Sequence, residues 1–320
     1  MGPTPSRRVR HRGHPLTSAE VAHAAGVLRS GGLVAFPTET VYGLGADAAN
    51  PAALRRLYAV KGRPTTHPVI VHLPSAERLD EWAVDIPDEA RALAVALWPG
   101  PLTMVLRRAQ HVVDEVTGGR DTVGLRVPAA SLALELLAAF GGGLAAPSAN
   151  RFGHVSPTTA AAVRDELDGD VDVVLDGGPC AVGVESTIVE LVGAVPVLLR
   201  PGGVSVERIE AVLGRGIERA TGPSRAPGMM SSHYAPAALV EIVDADELVA
   251  RARTLRSAGR VVVTLVPSGD LEEDARLLYA RLRDADAQHA DVVLAVLPTD
   301  EGLGAAIADR LRKAAGPRSR

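Results

Sequence analysis

The 320-residue chain is poor in the residues that several protein classes require. Its one cysteine, Cys180, excludes internal disulfides and multi-cysteine zinc or iron–sulfur sites, and it suits a reducing, cytoplasmic compartment. Aromatic residues make up 3% of the chain, which leaves few side chains to stack on unpaired bases. The formal net charge of −4 lacks the basic excess of a general nucleic-acid binder. No apolar run approaches the ~20 residues of a membrane-spanning helix.

The residues that are present indicate a globular protein with a biased composition. Hydrophobic residues make up 47% and charged residues 22%, which is enough for a packed core. Lys61 and Lys313 are the only lysines among 34 basic residues, and Asn50 and Asn150 are the only asparagines. Because this chain uses Arg almost everywhere in place of Lys and contains almost no Asn, Lys61 and Asn150 are the first candidates for residues that are kept for a function.

The order of predicted elements indicates two α/β domains. Residues 1–14 are arginine-rich without an apolar stretch and predict a disordered basic tail. In residues 15–218 strands outnumber helices without strict alternation, which predicts a large mixed sheet. Residues 219–238 are rich in Gly and Pro and predict a linker. In residues 239–320 strands alternate with helices, which predicts a small parallel, Rossmann-like domain.

Two clusters in the first domain could bind an anion. Lys61 and Arg63 lie in K-G-R-P at a predicted helix end, where both cations could reach one polyphosphate, and we expect Lys61 to support no core. The alternative is ordinary cations at a helix C-terminus. Ser148, Asn150 and Ser156 lie in residues 146–158, where a helix N-terminus could help to hold a phosphate. The alternative for Ser156 is helix capping, with Pro157 in the first turn.

Two further features are polar positions in apolar surroundings. Arg126 lies in the strand T-V-G-L-R-V-P and, if it points inward, needs a carboxylate or phosphate partner. A salt bridge to Glu39, Glu185 or Asp47 is the alternative. The loop 37–45 contains several donors and acceptors, although a polar turn explains it equally well.

These clusters belong to an ordered series of motifs. The motifs are F-P-T-E-T-V-Y-G-L-G, K-G-R-P, L-W-P-G-P-L-T, V-G-L-R-V-P, A-P-S-A-N, G-x-x-S-P-T, G-V-E-S-T-I-V, L-R-P-G and H-Y-A-P. In this order they resemble the YrdC-type threonylcarbamoyl-AMP synthases. The segment G-L-G-A-A-I-A-D-R-L-R-K-A near residue 310 resembles the two-domain form of that family. Residues 15–218 would then be the YrdC-like catalytic domain.

The resemblance implies a nucleotidyltransferase that acts in tRNA processing. Such enzymes condense L-threonine, bicarbonate or CO2, and ATP into threonylcarbamoyl-AMP and pyrophosphate. A separate transferase complex then modifies an adenosine beside the tRNA anticodon. ATP is a substrate, Mg²⁺ is expected to arrive with it, and no dedicated metal site is expected. Neither stable nucleic-acid binding nor membrane association is expected.

The resemblance also implies roles for individual residues. Lys61 and Arg63 are expected to hold the phosphates and to act in catalysis. The residues expected to bind ATP are Lys61, Arg63, His67, Thr122, Ser148, Asn150, Ser156, Arg200 and Tyr234. The residues expected to bind L-threonine are Thr40, His72, Arg126, Ala146 and Ser186. His67 stands where the family usually has Asn, and Tyr234 comes from the linker, which is expected to act as a lid.

Two other functions stay open at this point. An RNA-binding module that grips tRNA or double-stranded RNA would use the N-terminal arginines, but the scarce aromatic residues argue against it. Carbamoyl transfer to another protein occurs in YrdC-like modules of larger maturation factors, whose additional segments are absent here. Pyrophosphate release that depends on threonine and bicarbonate distinguishes the synthase from both.

Overall fold

The structure is a computed structural model that describes residues 17–220, 227 and 234–317. The predicted tail at 1–14 lies outside the described residues, as do residues 221–226 and 228–233 of the predicted linker. In the described ranges no helix combines the length and the apolar character needed to cross a membrane.

The described residues form helices and strands in both halves of the chain. The helices are α1 (Ser18–Arg29), α2 (Pro51–Lys61), α3 (Leu79–Trp82), α4 (Asp88–Leu97), α5 (Asp114–Thr117), α6 (Ser131–Phe140), α7 (Ala160–Leu167), α8 (Val206–Leu213), α9 (Leu248–Ser257), α10 (Leu271–Ala287) and α11 (Leu303–Ala314). The strands are β1 (Val34–Phe36), β2 (Gly43–Asp47), β3 (Ile70–His72), β4 (Ala83–Val84), β5 (Leu102–Arg108), β6 (Thr122–Arg126), β7 (Leu144–Ala145), β8 (Val173–Val174), β9 (Thr187–Glu190), β10 (Val197–Arg200), β11 (Glu218–Arg219), β12 (Leu239–Ile242), β13 (Val262–Leu265) and β14 (Val292–Ala295).

The first eleven strands form one mixed sheet, which confirms the predicted fold class. Its order is β11-β10-β9-β5-β6-β3-β7-β2-β1-β8, with β4 paired to β5. Strand β3 runs parallel to β6, and their register sets His72 beside Arg126. Strand β7 pairs antiparallel with both β3 and β2. The centre of the sheet therefore brings together residues that are far apart in sequence.

Local sequence signals fix the ends of the helices near the site. The Asn50 side chain accepts hydrogen bonds from the backbone N–H groups of Ala52 and Ala53, Pro51 occupies the first turn, and Gly62 ends α2 with φ of 62°. The glycine is needed there because few other residues adopt a positive φ without strain.

The prediction that Ser156 caps a helix is wrong. Helix α7 begins at Ala160, and its N-cap is Thr159, whose side chain accepts a hydrogen bond from the Ala162 N–H. The Ser156 hydroxyl instead donates to the Glu185 carboxylate, and the Pro157 carbonyl accepts a hydrogen bond from the Tyr42 N–H. These long-range bonds hold the segment before α7 out of the helix.

The predicted loop 37–45 is a shorter turn than expected. It ends at Gly43, where β2 begins and pairs antiparallel with β1. A Cβ atom at Gly45 would lie 2.8 Å from the Phe36 ring, so the glycine lets the two strands of this hairpin approach.

The last three strands form a separate parallel sheet in the order β12-β14-β13, and this confirms the predicted small α/β domain. This domain packs on the first one through a shared apolar cluster. Val155 and Val184 of the first domain lie in that cluster with Leu278 and Tyr279 of α10. The two domains are therefore in direct contact near the predicted site.

Candidate active site

A cavity of about 50 Å³ lies where β3, β6 and β10 end. All five residues predicted to bind threonine line it, together with four of the nine predicted to bind ATP. The residues that line the cavity are Thr38, Thr40, Val41, Gly43, Arg63, Ile70, His72, Arg126, Ala146, Pro147, Ser148, Glu185, Ser186, Arg200, Pro227 and Tyr234. The whole predicted threonine set and part of the predicted ATP set therefore line one cavity.

His72 contributes a neutral imidazole to this wall. Only 3% of the residue is exposed, and its Nδ1 atom has no hydrogen-bond partner among the residues that the structure describes. Burial, assisted by the nearby positive charge of Arg126, lowers the pKa of His72 to about 3. Because a buried polar atom normally finds a partner, the unpaired Nδ1 is suited to a ligand.

Arg126 is paired with a carboxylate in this structure. Its Nη2 lies 2.6 Å from Glu39 Oε1, and its Nε donates to the Gly100 carbonyl at 3.3 Å. The Glu39 carboxylate also accepts a hydrogen bond from the Ala129 N–H. The salt bridge considered as an alternative is thus present, and it holds the guanidinium on the cavity wall.

Hydroxyl groups occupy the adjoining wall. Thr40 Oγ1 lies 2.8 Å from Thr38 Oγ1, and Ser186 Oγ lies 2.8 Å from Thr103 Oγ1. Each hydroxyl can act as donor or acceptor, so both pairs can reorient toward a polar ligand. Ala146 joins this wall and donates its backbone N–H to the Ile70 carbonyl.

Arg63 and Arg200 add two cations to the cavity wall. Arg63 Nη2 donates to the Pro68 carbonyl at 2.8 Å, and burial lowers its pKa to about 10, which keeps it charged near neutral pH. Arg200 donates from Nη2 to the Ser186 carbonyl at 2.8 Å and from Nη1 to the Pro227 carbonyl at 3.1 Å. Arg200 therefore ties the strand end to the one residue described between 221 and 233.

Lys61 ends α2 and is buried beneath the cavity. Its Nζ donates to the carbonyl oxygens of Ser148, at 2.6 Å, and Asn150, and it forms no salt bridge with any described residue. Burial, and then the charge of Arg63, lower its pKa well below the ordinary value. The prediction that Lys61 supports no core is wrong, because its ammonium holds the P-S-A-N segment.

Four other residues predicted to bind ATP do not line the cavity. Asn150 donates to two carbonyls, and its Oδ1 is buried with no partner in residues 17–220, 227 or 234–317. Ser156 is bound to Glu185. His67 packs against Phe152, with ring centroids 5.5 Å apart. Thr122 lines an adjoining cavity.

That adjoining cavity shares Ile70 and Pro227 with the first. The two spaces are therefore neighbours on either side of these residues. Within the described ranges, no group of three His, Cys, Asp or Glu residues is placed to hold a metal ion.

Glu185 is a cavity residue for which the sequence analysis gave only one role, as a possible partner of Arg126. Its carboxylate accepts hydrogen bonds from Ser156 Oγ at 2.7 Å, Tyr279 Oη at 2.8 Å and Arg310 Nε at 2.7 Å. Burial acts to raise its pKa, but the charges of Arg310 and Arg200 outweigh this effect and lower the pKa to about 2. A signal was present, since a carboxylate in a buried segment needs a partner.

Tyr234 closes the cavity from the side of the second domain. It is 1% exposed, and its ring lies 5.7 Å from that of Tyr279. The neighbouring Ala235 donates its N–H to the Gly153 carbonyl, which fixes this segment on the first domain. Burial, followed by the negative charge of Glu185, raises the pKa of Tyr234 to about 12, so its phenol is neutral.

Comparison with known proteins assigns the chain to a family. A family model described as Sua5_yciO_yrdC, telomere recombination, matches residues 26–202. A second, described as the C-terminal domain of threonylcarbamoyl-AMP synthase, matches residues 204–316.

Individual relatives match nearly the whole chain. The threonylcarbamoyl-AMP synthase of Pyrococcus abyssi is 42% identical, with 92% of this chain and 94% of that protein covered. The Bacillus subtilis enzyme of the same name is 40% identical, with 93% and 94% covered. The crystal structure of P. abyssi Sua5 complexed with L-threonine superimposes with a TM-score of 0.90 at 41% identity, covering 94% of this chain and 96% of that one. From its sequence, its two-domain fold and these matches, the chain belongs to the threonylcarbamoyl-AMP synthase family.

Proposed function

We propose that this protein is an enzyme that makes L-threonylcarbamoyl-AMP from L-threonine, bicarbonate or CO2, and ATP, with release of pyrophosphate. The observation that carries the proposal is one cavity lined by all five residues predicted to bind threonine and by four of the nine predicted to bind ATP. Membership of the family supports the same activity. An RNA-binding role has no comparable support.

We infer that threonine occupies the side of the cavity formed by Arg126, His72, Thr40, Ser186 and Ala146. The cation is suited to the amino acid's carboxylate, and the hydroxyl groups are suited to its side chain and amine. The neutral His72 can accept a hydrogen bond at Nδ1 without adding a second positive charge. The backbone at Ala146 completes this side.

ATP would then lie along Arg63, Ser148, Arg200 and Tyr234 and extend past Pro227 toward the cavity that Thr122 lines. Lys61 is buried and forms no ion pair with a described carboxylate, so it would be available as a second cation for the phosphates if the ligand displaced one of its carbonyl contacts. His67, Asn150 and Ser156 would support this side of the site. Mg²⁺ would be carried by the nucleotide.

The chemistry requires positioning and charge neutralisation. Threonine's amine adds to CO2 to give a carbamate, and a carbamate oxygen attacks the α-phosphorus of ATP while pyrophosphate leaves. Arg63 and Lys61 would stabilise the negative charge that develops on the phosphates. The carbamate and the adenylate both hydrolyse readily, so the site must exclude water.

The linker residues 219–238 would serve as a lid for this purpose. Pro227 and Tyr234 both line the cavity, and Arg200 binds the Pro227 carbonyl, which supports the proposal. The product would pass to a transferase complex that modifies tRNA. The enzyme would act in the cytoplasm without stable contact to nucleic acid.

The decisive experiment measures pyrophosphate release and identifies the nucleotide product by mass spectrometry. We expect release only when ATP, L-threonine and bicarbonate are all present. Arg63→Met should abolish it, whereas Arg55→Met, a change at a surface arginine with 62% of its side chain exposed, should not. Absence of release by the wild-type protein, or release independent of threonine, would refute the proposed function.

A further inference from the structure

A buried arginine of the second domain reaches into the wall of the candidate site. Arg310 lies on α11, and its side chain is 0% exposed. Its Nε donates to Glu185 Oε2 at 2.7 Å, and its Nη1 donates to the Pro201 carbonyl at 2.8 Å. Its guanidinium carbon also lies 5.2 Å from the centre of the Tyr234 ring. One side chain therefore contacts three separate segments of the site.

Each of these three contacts is at a cavity residue or next to one. Glu185 lines the cavity and precedes Ser186, Pro201 follows Arg200, and Tyr234 lines the cavity itself. The segment at Glu185–Ser186 and the segment at Pro201–Gly202 also lie in close backbone contact. A Cβ atom at Gly202 would lie 2.3 Å from the Glu185 carbonyl oxygen, so only glycine fits there. Arg310 binds Glu185 and Pro201, the residue before Gly202, so its contacts lie beside this close approach.

The neighbouring helix α10 reinforces this arrangement. Its Tyr279 donates a hydrogen bond to the same Glu185 oxygen at 2.8 Å and packs against Tyr234. Gly183, two residues before Glu185, has a φ of +80°, and a Cβ atom there would lie 2.4 Å from the Ala275 carbonyl oxygen of α10. The backbone of α10 therefore packs directly against the backbone at Gly183, because the glycine has no side chain to separate the two domains here.

Stability alone does not account for an arginine in this position. Burying a guanidinium is costly, and a buried ion pair is often no more stable than an apolar pair of the same shape. Arg310 Nη2 is moreover buried without a hydrogen-bond partner in the described part of the chain, which adds to the cost. What the charged group provides and an apolar one cannot is directional contact with the Glu185 carboxylate and the Pro201 carbonyl.

We propose that Arg310 is a positioning residue of the active site, through which the C-terminal domain holds Glu185–Ser186, Arg200–Pro201 and Tyr234 in the geometry that the reaction needs. The proposal rests on the proposed function. It makes the second domain a structural part of the site rather than an attached module. Arg310 does not line the cavity, so it acts through the residues that it holds.

The test compares Arg310→Met with Arg312→Met, a change at an exposed arginine of the same helix. Pyrophosphate release is measured at saturating substrates and well below the unfolding temperature, per folded molecule. We expect kcat to fall at least about tenfold for Arg310→Met, because displaced segments misalign the reacting groups, and to change less than about twofold for the control. A merely structural role would lower the unfolding temperature and leave kcat unchanged, and that result would overturn the proposal.

Tyr279→Phe provides a second variant that keeps the ring and its packing. It removes one hydrogen bond to Glu185, so we expect a smaller fall in kcat, and a double variant less impaired than the product of the single effects. An unchanged kcat in Tyr279→Phe would also overturn the proposal. So would a double variant whose fall in kcat equals the product of the two single falls. If the wild-type protein itself releases no pyrophosphate, the proposed function fails instead.

Discussion

The buried His72 predicts a specific loss of stability on mild acidification. In the folded protein its pKa is about 3, whereas the ordinary value is 6.5. The unfolded chain therefore binds the proton more tightly, and the free energy of unfolding falls as the pH drops from 6.5 toward 3. At pH 5 the 1.5-unit distance from the ordinary value corresponds to about 2 kcal/mol, since one pKa unit is worth ~1.36 kcal/mol.

Urea unfolding at pH 7 and pH 5, followed by circular dichroism, measures this loss. We expect wild-type protein to lose about 2 kcal/mol from this group between the two pH values, and His72→Asn to lose correspondingly less. His23→Asn, at an exposed histidine, is the control. Glu185 does not contribute in this window, because its pKa of about 2 lies below the ordinary 4.5 and its stabilisation is lost only as the pH falls below 4.5.

The comparison concerns the pH dependence and not the absolute stability of each variant. His67 also has a lowered pKa, caused first by burial, but its contribution is common to wild type and variant. If His72→Asn shows the same loss between pH 7 and pH 5 as wild type, the imidazole is not held neutral in the fold. The account of His72 as an unpaired, uncharged ligand group would then be refuted.

Three further changes test the site. Lys61→Met should reduce pyrophosphate release at least about 100-fold and lower the unfolding free energy by about 1–3 kcal/mol, because it leaves two carbonyls unpaired; near-normal activity in a steady-state assay would remove Lys61 from the phosphate site. Arg126→Ala should raise the KM for threonine by the equivalent of about 2–5 kcal/mol and the KM for ATP far less, whereas equal weakening of both would indicate only a structural pair with Glu39. Proteolytic cleavage in residues 219–238 should slow when ATP, threonine and bicarbonate are added, and equal cleavage rates with and without them would contradict a lid.

The sequence predicts well those features that depend on neighbours along the chain. Asn50, Pro51 and Gly62 set the ends of α2 through contacts within a few residues, and the element pattern predicts both sheets. The predictions fail where a distant partner decides. Ser156 looks like a helix cap locally, but a carboxylate 29 residues away binds its hydroxyl.

The candidate site divides in the same way. The motifs indicate which residues meet, and all five residues predicted for threonine line one cavity. The partner of Arg126 could not be chosen from the sequence, because Glu39 is 87 residues away and two other carboxylates were equally plausible. The environment of Lys61 was missed because a lysine at a helix end is usually solvated, whereas this one is 2% exposed.

The bond between Arg310 and Glu185 has a consequence for the order in which the protein is made. The two residues are 125 positions apart. At about 5–20 residues per second, a ribosome needs about 6–25 s to pass from one to the other. During that interval every first-domain residue of the cavity up to Glu185 already exists, but the guanidinium that binds the Glu185 carboxylate does not. If Arg310 positions the site as proposed, a nascent chain carries most of the substrate-binding side chains before it can complete the site, and a chain that ends before α11 would lack the contact between Arg310 and Glu185.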